Sequence, residues 1–233
     1  MAHVTLVLTR TPTQEFRYGK RSGRWGVMAV VEGPKVMAAR FVPGSMMLPA
    51  LAAAAALPSP LTPLLALGAT AAQAASALLD GPAHAPTLAF AGRKLRLTTD
   101  SSPIKRVTEF DSMERFRADS GNGFYMQTKP RPDKPYKLTM FKSSTVAELN
   151  KTGECLRVHG HGYLQQGTNT PAGILVHEAP HVGWLIGCIA PREKNHRTQG
   201  HDRGPSTRAM QFIFNAMGGF QQGKEASLIV LDW

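Results

Sequence analysis

The chain has 233 residues, enough for one large domain or for one domain plus an insertion, and at that length a core can be buried without covalent staples. Lys and Arg outnumber Asp and Glu by 27 to 16, a formal charge of +11 that draws the surface toward anionic partners. The basic residues are scattered in no run that fits a DNA-reading helix, so no nucleic-acid partner is expected, and two cysteines are too few for a disulfide scaffold.

Residues 3–9 and 25–32 are rich in β-branched and apolar side chains and predict two strands, with a turn between them around Tyr18-Gly19 and Ser22-Gly23. The N-terminal Met1-Ala-His-Val-Thr-Leu-Val-Leu reads as the first of these strands. It has no basic leader, apolar core and cleavage site, so no Sec-type signal peptide is expected. Residues 46–79 change character: two Ala/Leu-rich halves are divided by Pro58, Pro60 and Pro63. Ala and Leu favour helix and the prolines break it, which predicts a helical hairpin inserted into a β domain. Each half is shorter than the ~20 residues a bilayer span needs. Membrane contact of residues 46–79 during delivery is the sharper reading of the same segment. The turn-rich stretch from Asp80 to Pro86 closes the insertion. The predicted organisation is thus 1–45 as N-terminal strands of the main domain, 46–86 as the insertion, and 87–233 as the remainder.

Residues 88–99 predict a hairpin, with Leu95 and Leu97 alternating with charges. Phe110, Met113 and Phe116 stand at near-helical spacing and predict a short helix over 108–118. Strands are expected at 123–128 and 135–141. Residues 154–163 read as a strand running into a glycine turn, and 173–177 as a strand ending at His177. Residues 191–205 are polar and read as a long loop, which favours a functional role. Ser206 is placed as the cap of a helix over 207–217, with Met210, Phe214 and Met217 on its apolar face. A last buried strand covers 226–232. Many short strands and one late helix make a mostly-β domain of the α+β kind.

The chemistry concentrates in 173–191. The apolar run Ile174-Leu-Val176 ends in His177, and Cys188 follows eleven positions later between Gly187 and Ile189. A thiol attacks as its thiolate and needs a base close by, and a histidine near its ordinary pKa takes that proton at neutral pH. Gly187 lets a substrate approach the backbone, whose N–H groups can hold an oxyanion. Without a disulfide, Cys188 is free to act; a Cys155–Cys188 bridge would silence it. His159, His161, Trp184 and His181 are candidate substrate-binding neighbours, and Arg192 and Arg208 are candidate partners for a substrate carboxylate. Each has a bland counterpart: a core thiol, a turn histidine, a packing tryptophan, a surface arginine.

The block Gly173-Ile-Leu-Val-His177, Gly187-Cys-Ile-Ala-Pro191 and Ser206-Thr-Arg-Ala209 resembles a bacterial domain family of formally unknown function, found in phages and secretion-linked proteins. That family looks like a distant branch of the L,D-transpeptidase catalytic domain, in which a histidine and a Gly-Cys pair act on peptidoglycan peptides. The resemblance runs from about residue 135 to the end, is weaker over the first 35 residues and is absent between them. The transpeptidases carry Ser/Thr and then His directly before Gly-Cys, where this chain has Leu185 and Ile186. The departure bears on substrate and outcome more than on the nucleophile. The resemblance implies a transpeptidase-like β-sandwich or barrel and a cysteine peptidase or transpeptidase that uses no cofactor. The implied partners are peptidoglycan stem peptides. With no signal peptide, delivery into a rival's periplasm by a contact-dependent route such as type VI secretion follows, with a cognate immunity protein and a chaperone or spike protein as further partners.

Two rivals stand beside that reading. His159, His161, His177 and His181 crowd around the cysteines, and zinc favours such ligands. However, Pro180 interrupts the His177/His181 pair and no Cys-x-x-Cys is present. The other rival is a non-enzymatic basic binding or structural domain of a phage or secretion apparatus, with Cys188 in its core.

Overall fold

A computed structural model describes residues 3–46, 86–101, 103–115, 128–164, 169–198 and 200–232. Most of the described chain is strand, in the order β1 (His3–Tyr18), β2 (Arg21–Gly33), β3 (Val36–Met46), β4 (Thr87–Phe90), β5 (Arg93–Thr99), β6 (Arg106–Arg115) and β7 (Arg131–Lys142), then β8 (Glu154–Val158), β9 (Leu175–Val176), β10 (Ile189–Arg192) and β11 (Glu225–Asp232). Two helices interrupt them, α1 (Ser144–Asn150) and α2 (Gly204–Ala216). Eight strands close a barrel in the order β1-β11-β7-β8-β9-β10-β6-β2, and β3-β5-β4 form a separate sheet. The two ends of the described chain meet in this barrel: β1 pairs in parallel with β11, Thr5 opposite Ser227 and Leu8 opposite Val230.

Strand alternation sorts side chains into an inner and an outer set. Leu6 and Leu8 of β1, Met28 and Val30 of β2, Leu138 and Met140 of β7, Leu156 and Val158 of β8, Val176 and Ile189 belong to one buried cluster, the barrel interior. Ala209, Met210, Ile213, Phe214 and Met217 of α2 join it, so the apolar face expected of that helix is the one it buries. The residues between them in sequence face outward. Val7, Ala29, Val31, Ile229 and Leu231 pack against Val36, Ala39, Phe90, Leu95 and Leu97, which binds the small sheet to one wall of the barrel. On another wall Trp25, Met113, Cys155, Leu175, Cys188 and Ala190 form a third cluster with Val146 of α1 and with Val182 and Leu185. Inside the barrel the series Leu6, Leu8 continues to Arg10, whose guanidinium grips Glu114 of β6 at 2.7 and 3.0 Å, both side chains buried.

The predicted hairpin over 88–99 is β4–β5, turning at Ala91-Gly92. The first two strands are longer than predicted and turn tightly at Gly19-Lys20, with Tyr18 opposite Arg21. The helix expected over 108–118 is instead β6. It hydrogen-bonds to β2 along ten residues and to β10 on its other edge, and pairing on both sides decides the backbone of a segment whose local spacing was ambiguous. Ser206 does not cap α2. Arg203 occupies the cap with no side-chain bond and a proline opens the helix. The Ser206 hydroxyl is buried, donating to Pro191 O at 2.6 Å and accepting from Ala179 N at 3.1 Å. The strand expected at 173–177 is short, Leu175–Val176. The helical hairpin at 46–79, the strand at 123–128 and the end of the expected 108–118 element fall wholly or almost wholly outside the described residues. No helix among the described residues is long and apolar enough to cross a membrane.

Candidate active site

β8, β9 and β10 lie side by side in the barrel wall, and their register sets the site. Leu156 pairs with Val176, and Val176 pairs in parallel with Ile189. These three point into the barrel, so the residues next to them point out. Cys188, one place before Ile189, therefore stands level with Leu175, which is opposite Arg157. His177 follows Val176 and shares the outer face. Its backbone N–H donates to Ile189 O at 3.0 Å, which fastens the histidine to the strand that carries the cysteine. Thus the eleven-residue separation closes into neighbouring positions on one face.

Both side chains line one cavity of about 280 Å³, with Leu175, Phe141, Trp184 and Ile186, and with Arg157, Ser143 and Val146 on the β8 and α1 side. Cys188 is 7 % exposed and His177 4 %. His177 Nδ1 lies 2.7 Å from Glu178 O. A carbonyl only accepts, so Nδ1 carries the hydrogen and Nε2 is left as the basic nitrogen. Burial lowers the His177 pKa to about 4, with the Glu178 carbonyl opposing it. Burial also raises the Cys188 thiol to about 11. The resting pair is therefore a neutral thiol beside a neutral imidazole. The thiol points toward Gly173 O and Ile186 O, at 3.8 and 3.9 Å. These contacts are long and weak, and leave Sγ free to move toward a partner.

The loop from 178 to 187 is pinned from below. Arg192 is fully buried and its guanidinium donates to Ala179 O at 3.0 Å, to Pro180 O at 3.3 Å and to Asp202 O at 3.4 Å, with Nε on His196 O at 3.0 Å. Arg192, expected at a substrate carboxylate, instead holds the backbone just after His177. Arg208 does not reach the cavity either; it is exposed and bound through both donors to Glu193. His181 stacks on Tyr18 at 4.3 Å and accepts from Gly183 N, starting the turn Val182–Trp184. Arg21 donates to Gly183 O, which ties this turn to the tip of the β1–β2 hairpin. Trp184 is 38 % exposed at the cavity's lip. Gly187 has φ +77°, a left-handed conformation that costs a residue with a Cβ more than it costs glycine.

His159 and His161 stand apart from the thiol. They line a neighbouring cavity of about 520 Å³. His159 hydrogen-bonds Thr139 Oγ1 at 2.8 Å; His161 Nε2 meets Ala172 O at 3.0 Å and its Nδ1 accepts from Tyr163 N. Burial lowers the pKa of both. Among the described residues no three of His, Cys, Asp and Glu come together as a group able to hold a metal, so the histidines that looked crowded in sequence are dispersed in space.

Both cysteines are free. Cys155 lies on β8 and Cys188 beside β10, with β9 between them; two strand spacings are about 10 Å, beyond the Cα separation of about 4.4–6.8 Å that a disulfide spans. Burial pushes the Cys155 thiol to about 12 and it donates to Phe141 O at 3.2 Å, the behaviour of a packed core thiol. The residues the sequence reading missed are those α1 and β8 bring to the cavity: Ser143, Val146 and Arg157. Seven residues of helix leave too little periodicity to read. The alternation in Cys155-Leu-Arg-Val158 was the available signal, since it places Arg157 on the face of Cys155. Compared with known protein families, curated proteins and solved structures, the chain matches none.

Proposed function

We propose that the chain is a cysteine-dependent acyl-transfer enzyme of the L,D-transpeptidase type acting on peptidoglycan stem peptides. The observation that carries the reading is the shared cavity. One free thiol and one histidine, whose Nδ1 is engaged by a carbonyl, come from neighbouring strands of one wall and line the same pocket. In the proposed reaction the Cys188 proton passes to His177 Nε2 as Sγ bonds to the substrate carbonyl carbon. The oxygen takes the charge and backbone N–H groups at Gly187 and Cys188 stabilise it. The tetrahedral intermediate expels the leaving amine, which takes the proton from His177, and a thioester remains on Cys188. Water or an acceptor amine then attacks, gives its proton to His177, and the thiol is restored when the product leaves. Burial explains why the pair rests neutral: charge separation is costly in this wall until a substrate carbonyl accepts the electron pair.

Peptidoglycan as substrate rests on the resemblance of 173–191 and 206–209 to the transpeptidase branch, and on a basic chain suited to an anionic wall. Delivery as an antibacterial effector into a target's periplasm extends the same reading. The test is incubation of purified protein with muropeptides followed by mass analysis. A mass change lost in Cys188→Ala, with the fold retained, supports the reading and reports bond and acceptor together. Turnover that survives Cys188→Ala, or that chelators abolish and zinc restores, defeats it.

A further inference from the structure

We infer that Arg157 is the anion-recognition residue of the Cys188 site, and that the acyl donor carries a carboxylate bound in a groove joining the two cavities. The inference deepens the function proposed above and rests on Cys188 being a reachable thiol. The two cavities, about 280 and about 520 Å³, share two lining residues, Arg157 and Gly173. They are therefore two lobes of one depression, with the guanidinium at the junction. Gly173 leaves that junction open: a Cβ there would meet no atom within 4 Å. The Gly173 carbonyl is also one of the two the Cys188 thiol points toward.

Register gives the spacing. Arg157, Leu175 and Cys188 form a row across three strands on the outer face, which sets the Cα atoms of Arg157 and Cys188 two strand spacings apart, about 10 Å. Both side chains then extend into the same small lobe. The guanidinium carbon sits over the Phe141 ring, 3.5 Å from its centroid, a cation–π contact that holds the group in place without using its N–H donors. Its Nε is buried without a hydrogen-bond partner among the described residues. The two fully buried arginines are matched instead: Arg10 has Glu114 and Arg192 has four carbonyls. A planar fork left unmatched beside a thiol is suited to a carboxylate, which two parallel N–H donors bind in plane. Bound there, the carboxylate would orient the acyl donor across the thiol and satisfy the buried Nε.

A pair of alkylating reagents tests this without requiring turnover. Iodoacetate and iodoacetamide attack the same thiol through the same carbon, and differ in a carboxylate against a neutral amide. Their rate ratio at Cys188, read by mass spectrometry, is independent of how much thiolate the site holds. The wild-type ratio is expected to exceed that of a free cysteine by about tenfold, the effect of a modest charge–charge attraction in a half-buried site. In Arg157→Gln it should fall to the free-cysteine value. Arg157→Lys, which keeps the charge but not the fork, should retain part of it and guards against misfolding of the first variant. Lys94→Gln, the same loss of charge on the separate sheet, should leave it unchanged. If Cys188 is alkylated but the ratio matches that of free cysteine, or is the same in wild type and Arg157→Gln, the inference is overturned while the thiol enzyme stands. If neither reagent modifies Cys188 in the folded protein, the reactive-thiol reading falls and takes the inference with it.

Discussion

The inner and outer faces of the β8–β10 wall are built from the same strands and do opposite things. Inward, Leu156, Val158, Val176 and Ile189 fill the barrel with aliphatic side chains and carry no titratable group. Outward, at the alternate positions, stand Cys155, Arg157, His177 and Cys188. A one-residue slip of β9 would exchange the sets, sending the histidine into the barrel and valine to the cavity. Stability and proposed chemistry are thus locked to one register. The inner face is what holds His177 and Cys188 side by side, and the buried Arg192 secures the loop between them.

The strongest way to break the comparison is to remove one group from the outer face. Cys188→Ala should reduce turnover of muropeptides to background with little change in thermal midpoint, because the cavity loses one sulfur atom. Cys155→Ala, two strands away, should retain near-normal turnover. Next in size, His177→Ala should lower the rate by about 10²–10⁴-fold, as loss of a general base does. It should add little to Cys188→Ala in the double variant, since the two act as a unit. Equal loss from both cysteine changes would show that the outer face works as a structural cluster.

The inner face should answer in the opposite currency. Leu156→Ala removes a fully buried side chain from the barrel and should cost about 2–5 kcal/mol of stability in denaturant titration. Turnover per folded molecule should change little, because the neighbouring outward residues keep their strand. A large fall in turnover with an unchanged midpoint would mean that the two faces are not separable.

The contrast also explains what the sequence made legible. Apolar runs at 3–9, 135–141 and 226–232 read directly as strands, because a strand buried in a barrel wall needs β-branched and aliphatic residues wherever it stands. The His177 and Cys188 pairing was legible as spacing. What joins them, the parallel bridge of Val176 to Ile189, is a long-range contact that leaves no local trace. Residues 108–118 misled for the same reason. Phe110 and Met113 belong to different clusters, one inside the barrel and one outside, so their three-residue spacing marks two faces of a strand and not one face of a helix. Arg192 misled through its nearness in sequence to Cys188; it shares the outer face by alternation, but four loop carbonyls hold its guanidinium away from the cavity.

Acid should sharpen the comparison by a smaller amount. Buried His177 has a pKa of about 4, against an ordinary 6.5. Between those values the unfolded chain binds a proton that the folded one refuses, so stability should rise with pH across that window and fall as pH drops from 6.5 toward 4. The full difference corresponds to about 3 kcal/mol, all of it lost by pH 4. The two buried thiols act at the other end: Cys188 keeps its proton to about 11 and Cys155 to about 12 when folded, so stability should decline as pH rises above 9. Urea titrations at several pH values should show both slopes. His177→Gln should flatten the acid one and leave the alkaline one in place. An acid slope that persists undiminished in His177→Gln would assign it to the other histidines whose pKa burial lowers, among them His159 and His161, or to the carboxylates.

The smallest expected effect on chemistry is at residues 46–86. β3 ends at Met46 and β4 begins at Thr87, and both belong to the separate sheet that packs on β1, β2 and β11. The cavity with the thiol is lined from β7, α1, β8 and the β9–β10 loop. The two ends of the segment therefore leave the structure from a sheet that contributes no residue to that cavity. Its side chains also offer no thiol and, among ionisable groups, only Asp80 and His84. Replacing 47–85 with a short Gly/Ser linker should leave turnover of soluble muropeptides within about twofold, with a folded barrel confirmed by circular dichroism; substitutions away from named interactions usually act on this small scale. Killing that depends on delivery by another cell should weaken if the segment binds a chaperone or crosses a membrane. A folded linker variant that no longer binds muropeptides would place part of the substrate groove in the segment, and the division between a catalytic wall and a delivery element would fail.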